Sequence, residues 1–137
     1  MYPDTWIRDL PLLHIEDGVY VSNRATLGTN IVLSNGFLLV DSVTLRSNSL
    51  VGHLALLAPG VELQAAAEVG VGTGIGIRTQ LGPHSFVGPC SLIEHGVHLG
   101  ANTAVGAHSY IGSGSVVPDN LRLPAGTVMA SRVGAVK

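Results

Sequence analysis

Between Leu81 and Val117 an aliphatic residue returns at every sixth position: Leu81, Val87, Ile93, Leu99, Val105, Ile111 and Val117. Glycine follows most of them, at Gly82, Gly88, Gly100, Gly106 and Gly112. Neither a helix nor a simple alternating strand has this period, whereas a β-solenoid built from six-residue units does. The frame runs back through Ile75, Val69, Leu63, Leu57, Val51, Leu45, Leu39, Leu33, Leu27 and Val21 to Ile15, and forward to Leu123 and Met129. The expectation is therefore one uninterrupted solenoid with no excursion loop. Three residues after the aliphatic position stands Gly or Asn in many units, among them Gly18, Asn48, Gly60, Gly72, Gly96, Asn102, Gly114, Asn120 and Gly126. Both types tolerate positive φ, so the coil should turn there. The first and fifth residues of each unit should face the core.

With that frame in place, the chain resembles the hexapeptide-repeat superfamily, best known from acyltransferases. The resemblance implies an all-β chain, a single-stranded left-handed parallel β-helix in which three hexapeptides make one triangular coil and residues 18 apart stack. The hand comes from the resemblance, since general crossover rules favour the opposite one. Residues 15–128 form the β-helix domain, residues 1–14 an N-terminal cap over its open end, and residues 129–137 a C-terminal tail.

Sorting the outward sixth residues by coil side gives three columns. Thr26, Thr44, Glu62, Gln80, His98 and Val116 form a mostly polar one. Val32, Leu50, Glu68, Phe86, Ala104 and Arg122 are mixed, while Tyr20, Leu38, Leu56, Gly74, Leu92, Tyr110 and Val128 are almost wholly apolar. Charged residues make up only 12 % of the chain, against about 25 % in an average domain, which fits a surface partly covered by copies of itself. A wedge with two sticky faces closes into a threefold ring, so a homotrimer is expected. A net charge of −2 gives no reason to expect nucleic acid or an anionic membrane as partner. The single cysteine, Cys90, excludes an internal disulfide and suits a reducing cytoplasm.

The segment Ile93-Glu94-His95-Gly96-Val97-His98 resembles the hexapeptide of sugar N- and O-acyltransferases that carries the catalytic histidine. The resemblance implies that His95 is a general base, that Glu94 is the acid preceding it, and that a small-molecule amine or hydroxyl attacks acetyl-CoA or another acyl-CoA in a groove between subunits. His84 of a neighbouring subunit is expected at the opposite rim of that groove. Gly106, Gly112 and Arg132 are the candidate acyl-CoA contacts. The family's following acid is replaced by Gly96, and its Pro near the tail is absent from Ala130-Ser131-Arg132-Val133-Gly134-Ala135. A second placement of the family pattern sets the base position on Ser47, flanked by Arg46 and Asn48, which would remove the catalytic histidine. Two other classes stay open. One is a non-catalytic trimeric scaffold. The other is a relative of the γ-class carbonic anhydrases with His84, His95 and His98 as ligands, although no metal is assigned from the sequence.

Overall fold

The computed structural model describes residues 6–7, 12–32, 36 and 38–129, and these form an all-β, left-handed parallel β-helix. Strands of two or three residues stack into three sheets. The first sheet holds Trp6–Ile7, Thr26–Leu27, Leu56–Leu57, Gly74–Ile75, Leu92–Ile93, Tyr110–Ile111 and Val128–Met129. In the second lie Leu13–Ile15, Val43–Leu45, Glu62–Leu63, Gln80–Leu81, His98–Leu99 and Val116–Val117. The third comprises Tyr20–Val21, Leu50–Val51, Glu68–Val69, Phe86–Val87, Ala104–Val105 and Arg122–Leu123.

The six-residue frame predicts the interior. Leu45, Leu57, Leu63, Leu81, Val87, Ile93, Val105 and Ile111 are fully buried. Fifth-position residues share the core with them, as Val43, Val61, Ala67 and Val97 or as the hydroxyls Thr73, Ser91 and Ser109. The turns also fall where expected. Asn48, Leu54, Ala66, Arg78, His84, Cys90, Asn102, His108 and Asn120 all have positive φ, as do Gly60, Gly72, Gly96, Gly114 and Gly126.

The uninterrupted solenoid does not hold. From Val43 onward partners are 18 residues apart, as in Thr44 with Glu62 and Glu62 with Gln80. Tyr20, however, pairs with Leu50, and Thr26 with Leu56, each a separation of 30. The extra residues leave the coil as an antiparallel hairpin, Asn30–Val32 against Leu38–Val40, closed at its base by the Asp41 N–H donating to the Thr29 carbonyl at 2.9 Å. The excursion is two hexapeptides long, so the six-residue frame stays in step across it. The columns change accordingly. Thr26 lies on the apolar first face below Leu56, Tyr20 on the third below Leu50, and Leu38 leaves the prism. His14 is the partner of Thr44 on the polar second face.

Of the expected cap, Trp6–Ile7 adds an edge strand to the first sheet by pairing with Thr26–Leu27, and Leu13 enters the second sheet opposite Val43. Residues 1–5, 8–11 and the tail from 130 lie outside the described residues.

Candidate functional site

Where the first sheet turns into the second, the chain makes one corner whose levels are, from below, the hairpin and Asp41, then Pro59-Gly60, Ile77-Arg78, His95-Gly96 and Ser113-Gly114. The turn at Gly96 has φ +68, and the Gly96 N–H donates to the Ile77 carbonyl at 2.8 Å. His95 is exposed at that turn. Its Nδ1 accepts a hydrogen bond from the Ile77 N–H one coil below, at 2.8 Å. Gly76 makes this bond possible, because a Cβ there would stand 2.7 Å from His95 Nδ1.

Glu94 lies beside His95 in sequence and takes a different partner: its Oε2 accepts from the Tyr110 hydroxyl at 3.2 Å. Partial removal from water, and then the Glu94 carboxylate, raise the Tyr110 hydroxyl above its ordinary pKa. The ring of His95 is thus oriented by backbone, and the acid expected to assist it is engaged with a tyrosine.

The same corner carries an ion pair that the sequence reading missed. Arg78 Nε donates to Asp41 Oδ2 at 3.0 Å, tying the hairpin base to the coil beneath His95. The hairpin had a legible signal in Asn35-Gly36 between the apolar runs Ile31-Val32-Leu33 and Phe37-Leu38-Leu39-Val40, since Asn-Gly flanked by β-formers marks a tight hairpin.

His84 stands on the next corner, between the second and third sheets, at φ +58. The second sheet separates it from His95 within one chain. Below His84's coil, Arg46 bonds Glu16 at 2.8 Å and Glu62 at 3.1 Å, and Ser47 Oγ and N–H both donate to Glu16. The Arg46 and Ser47 bonds hold the Glu16 carboxyl below its usual range. Ser47, the other candidate for the base position, is therefore occupied as a donor to Glu16.

Gly106 and Gly112 serve the stacking of coils. The Gly106 N–H donates to the Leu123 carbonyl at 2.8 Å and its own carbonyl accepts from Ser91 and Ser109, while the Gly112 N–H donates to the Met129 carbonyl at 2.7 Å. Arg132 lies outside the described residues. Among the described residues no three His, Cys, Asp or Glu side chains of one chain gather as a metal site.

One groove of a single chain, about 360 Å³, runs along the second sheet and its corner with the third, lined by Gln64, Gln80, His98, Val116, Pro118 and Asp119 among others; a larger one, about 620 Å³, lies lower on the same sheet between Leu13, His14, Glu16, Thr44 and Arg46. Asp119 Oδ1 closes one end by accepting from the Ala101 N–H at 2.8 Å. His98 is thus in a groove wall, whereas His95 stands on an open corner at the sheet's other edge.

Residues 78–119, which include Arg78, His95 and most of the lining of the 360 Å³ groove, match the family described as bacterial transferase hexapeptide (six repeats). No curated protein sequence matches the chain. Among solved structures, PerB from Caulobacter crescentus, in complex with CoA and GDP-perosamine, superposes with a TM-score of 0.72 at 19 % identity, over 86 % of this chain and 50 % of that one. A histidine-to-alanine variant of GDP-perosamine N-acetyltransferase from the same organism gives a TM-score of 0.47 at 20 % identity, over 83 % and 50 % of the two chains. A Bacillus cereus protein described as a putative acetyltransferase gives 0.31 at 15 % identity, over 85 % and 71 %. The chain spans about half the length of PerB. At these identities the likeness is one of fold.

Proposed function

We propose that this chain, a left-handed β-helix of the hexapeptide-repeat superfamily, transfers an acyl group, acetyl first among them, from acyl-CoA to an amine or hydroxyl of a small molecule. The observation that carries the reading is the position of His95: exposed, held by the Ile77 N–H, and inside the span that matches transferase hexapeptides. PerB, on the same fold, is seen with CoA and a nucleotide-linked sugar.

The open setting of His95 in one chain is completed in this proposal by a homotrimer. The first face presents Leu56, Leu92 and Val128, which are 50 %, 45 % and 74 % exposed, and the third face adds Tyr20 and Phe86. Packing first face against third buries these side chains, brings a neighbour's third sheet to the rim near His95, and creates the groove for the pantetheine arm. We assign the protein to the cytoplasm, on the lone Cys90.

Calorimetry with acetyl-CoA tests the reading before any acceptor is known. Binding is expected in the trimer. A flat titration at millimolar acetyl-CoA would instead leave the trimeric scaffold as the function.

A further inference from the structure

We propose that His95 acts as a hydrogen-bond donor to the thioester oxygen, through Nε2–H, and not as a base. The inference rests on the acyl-transfer reading above and assigns the role of that one ring. Its ground is the bond at Nδ1. A peptide N–H can only donate, so the nitrogen it meets must offer a lone pair. In an imidazole one nitrogen carries the proton when the other accepts. With Nδ1 accepting from Ile77, the neutral ring holds its proton on Nε2 and has no second lone pair to give.

The surroundings support the same tautomer. A histidine that takes protons at Nε2 needs Nδ1–H directed at an acceptor, such as a carboxylate. Here Nδ1 meets the Ile77 N–H instead, and the Oε2 of the adjacent Glu94 accepts from Tyr110. Turning the ring over would set a C–H against the Ile77 N–H. Moving the proton to Nδ1 would set two N–H groups against each other. Gly76, which admits the ring to this site, leaves the peptide N–H as its partner.

The chemistry balances without an enzyme base when the acceptor is an amine. The amine nitrogen attacks the thioester carbonyl carbon, the C–N bond forms, and the carbonyl π pair moves to oxygen, where Nε2–H stabilises it. The oxyanion collapses and the C–S bond breaks. The proton of the new ammonium then passes to the departing CoA thiolate. Amine and acyl-CoA become amide and free CoA thiol. A preorganised donor at a developing oxyanion is worth roughly 10²–10³-fold in rate.

Nitrogen-15 NMR of the imidazoles in the wild-type protein reads the tautomer directly, whatever the activity. A protonated Nε2 and an unprotonated Nδ1 in neutral His95 are expected, and the reverse assignment overturns the proposal. With acetyl-CoA and a panel of amines, H95A should lose about 10²–10³-fold in kcat. H95Q keeps an N–H near the Nε2 position but cannot act as a base, so it should stay within about tenfold of wild type. Equal losses in H95Q and H95A, with the Nε2–H tautomer confirmed and both variants trimeric, would also sink the donor role. Absence of acetyl-CoA binding in the wild type refutes the acyl-transfer reading itself, and the donor role falls with it.

Discussion

Asp41 and Arg78 meet across Gly60, carboxylate oxygen to guanidinium Nε at 3.0 Å, and thereby fasten the base of an inserted hairpin to the corner beneath His95. Gly60 has φ +83, and a Cβ on it would lie 2.6 Å from Arg78 Cγ and 3.0 Å from Asp41 Oδ2. The turn residue is small because the ion pair passes over it.

Arg78→Ala should free the hairpin and leave the prism intact. Partly exposed ion pairs contribute little to global stability, so the melting temperature should fall by less than about 4 °C. Amide exchange at residues 38–41 should quicken, while exchange at Leu81 and Val87 stays slow. Acid should imitate the mutation. The Ser42 N–H, and then Arg78, hold the Asp41 carboxyl below its ordinary range. Its contribution is therefore complete above the unfolded value of about 3.9 and is lost as pH falls through the lower folded value. Hairpin exchange that is insensitive to both changes would show that the pair does not anchor it.

The six-residue frame exposed the core and the turns because both depend only on position within a hexapeptide. It was blind to the hairpin for an arithmetical reason: an excursion of two hexapeptides keeps Leu33 and Leu39 in step. Which outer face a residue occupies depends on position within 18, so Thr26 and Tyr20 moved to other faces while Leu57 and Val87 kept their places in the core. Asn35-Gly36 was the local evidence against continuity. At the site, His95 could be singled out from its neighbours in sequence. The bond at its Nδ1 could not, since Ile77 is a full coil away and contributes only backbone.

At Gly106 the next coil leaves no room for a side chain. A Cβ on Gly106 would run into the Ala125 amide nitrogen and lie 2.6 Å from the Pro124 carbonyl carbon. These are backbone atoms of the next coil and cannot swing aside. Gly106→Ala should cost about 1–3 kcal/mol, as overpacking does. Val105→Asp, at a site with no exposure, should prevent folding, because an unpaired buried carboxylate costs several kcal/mol. Urea unfolding of Gly106→Ala that coincides with wild type would contradict the stacking seen here.

Two buried hydroxyls provide a comparison within one core. Ser85 Oγ has no hydrogen-bond partner, whereas Ser91 Oγ donates to the Gly106 carbonyl at 3.1 Å and accepts from the Ser109 N–H at 3.2 Å. Ser85→Ala removes an unsatisfied polar atom and should be neutral or stabilising. Ser91→Ala strands a buried N–H and should cost about 1–3 kcal/mol. Denaturant midpoints in the reverse order would mean that Ser85 has a partner in solution.

The trimer makes the last prediction. On the first face Leu56 and Leu92 flank Gly74 in register, Leu56 beside Gly74 and Gly74 beside Leu92. Gly74 leaves a shallow dip between two leucines, a shape that receives a bulky side chain from a neighbour's third face, such as Phe86. Leu56→Glu or Leu92→Glu would place a carboxylate in that contact without disturbing the core, because both side chains point outward. Each variant should keep its β-sheet circular dichroism and lose the trimer, which multi-angle light scattering reads as a threefold drop in mass. Glu68→Gln, on the third face, serves as the control and should leave the assembly whole. Wild-type protein that scatters as a monomer at micromolar concentration would remove the trimer, and with it the intersubunit site proposed for acyl-CoA.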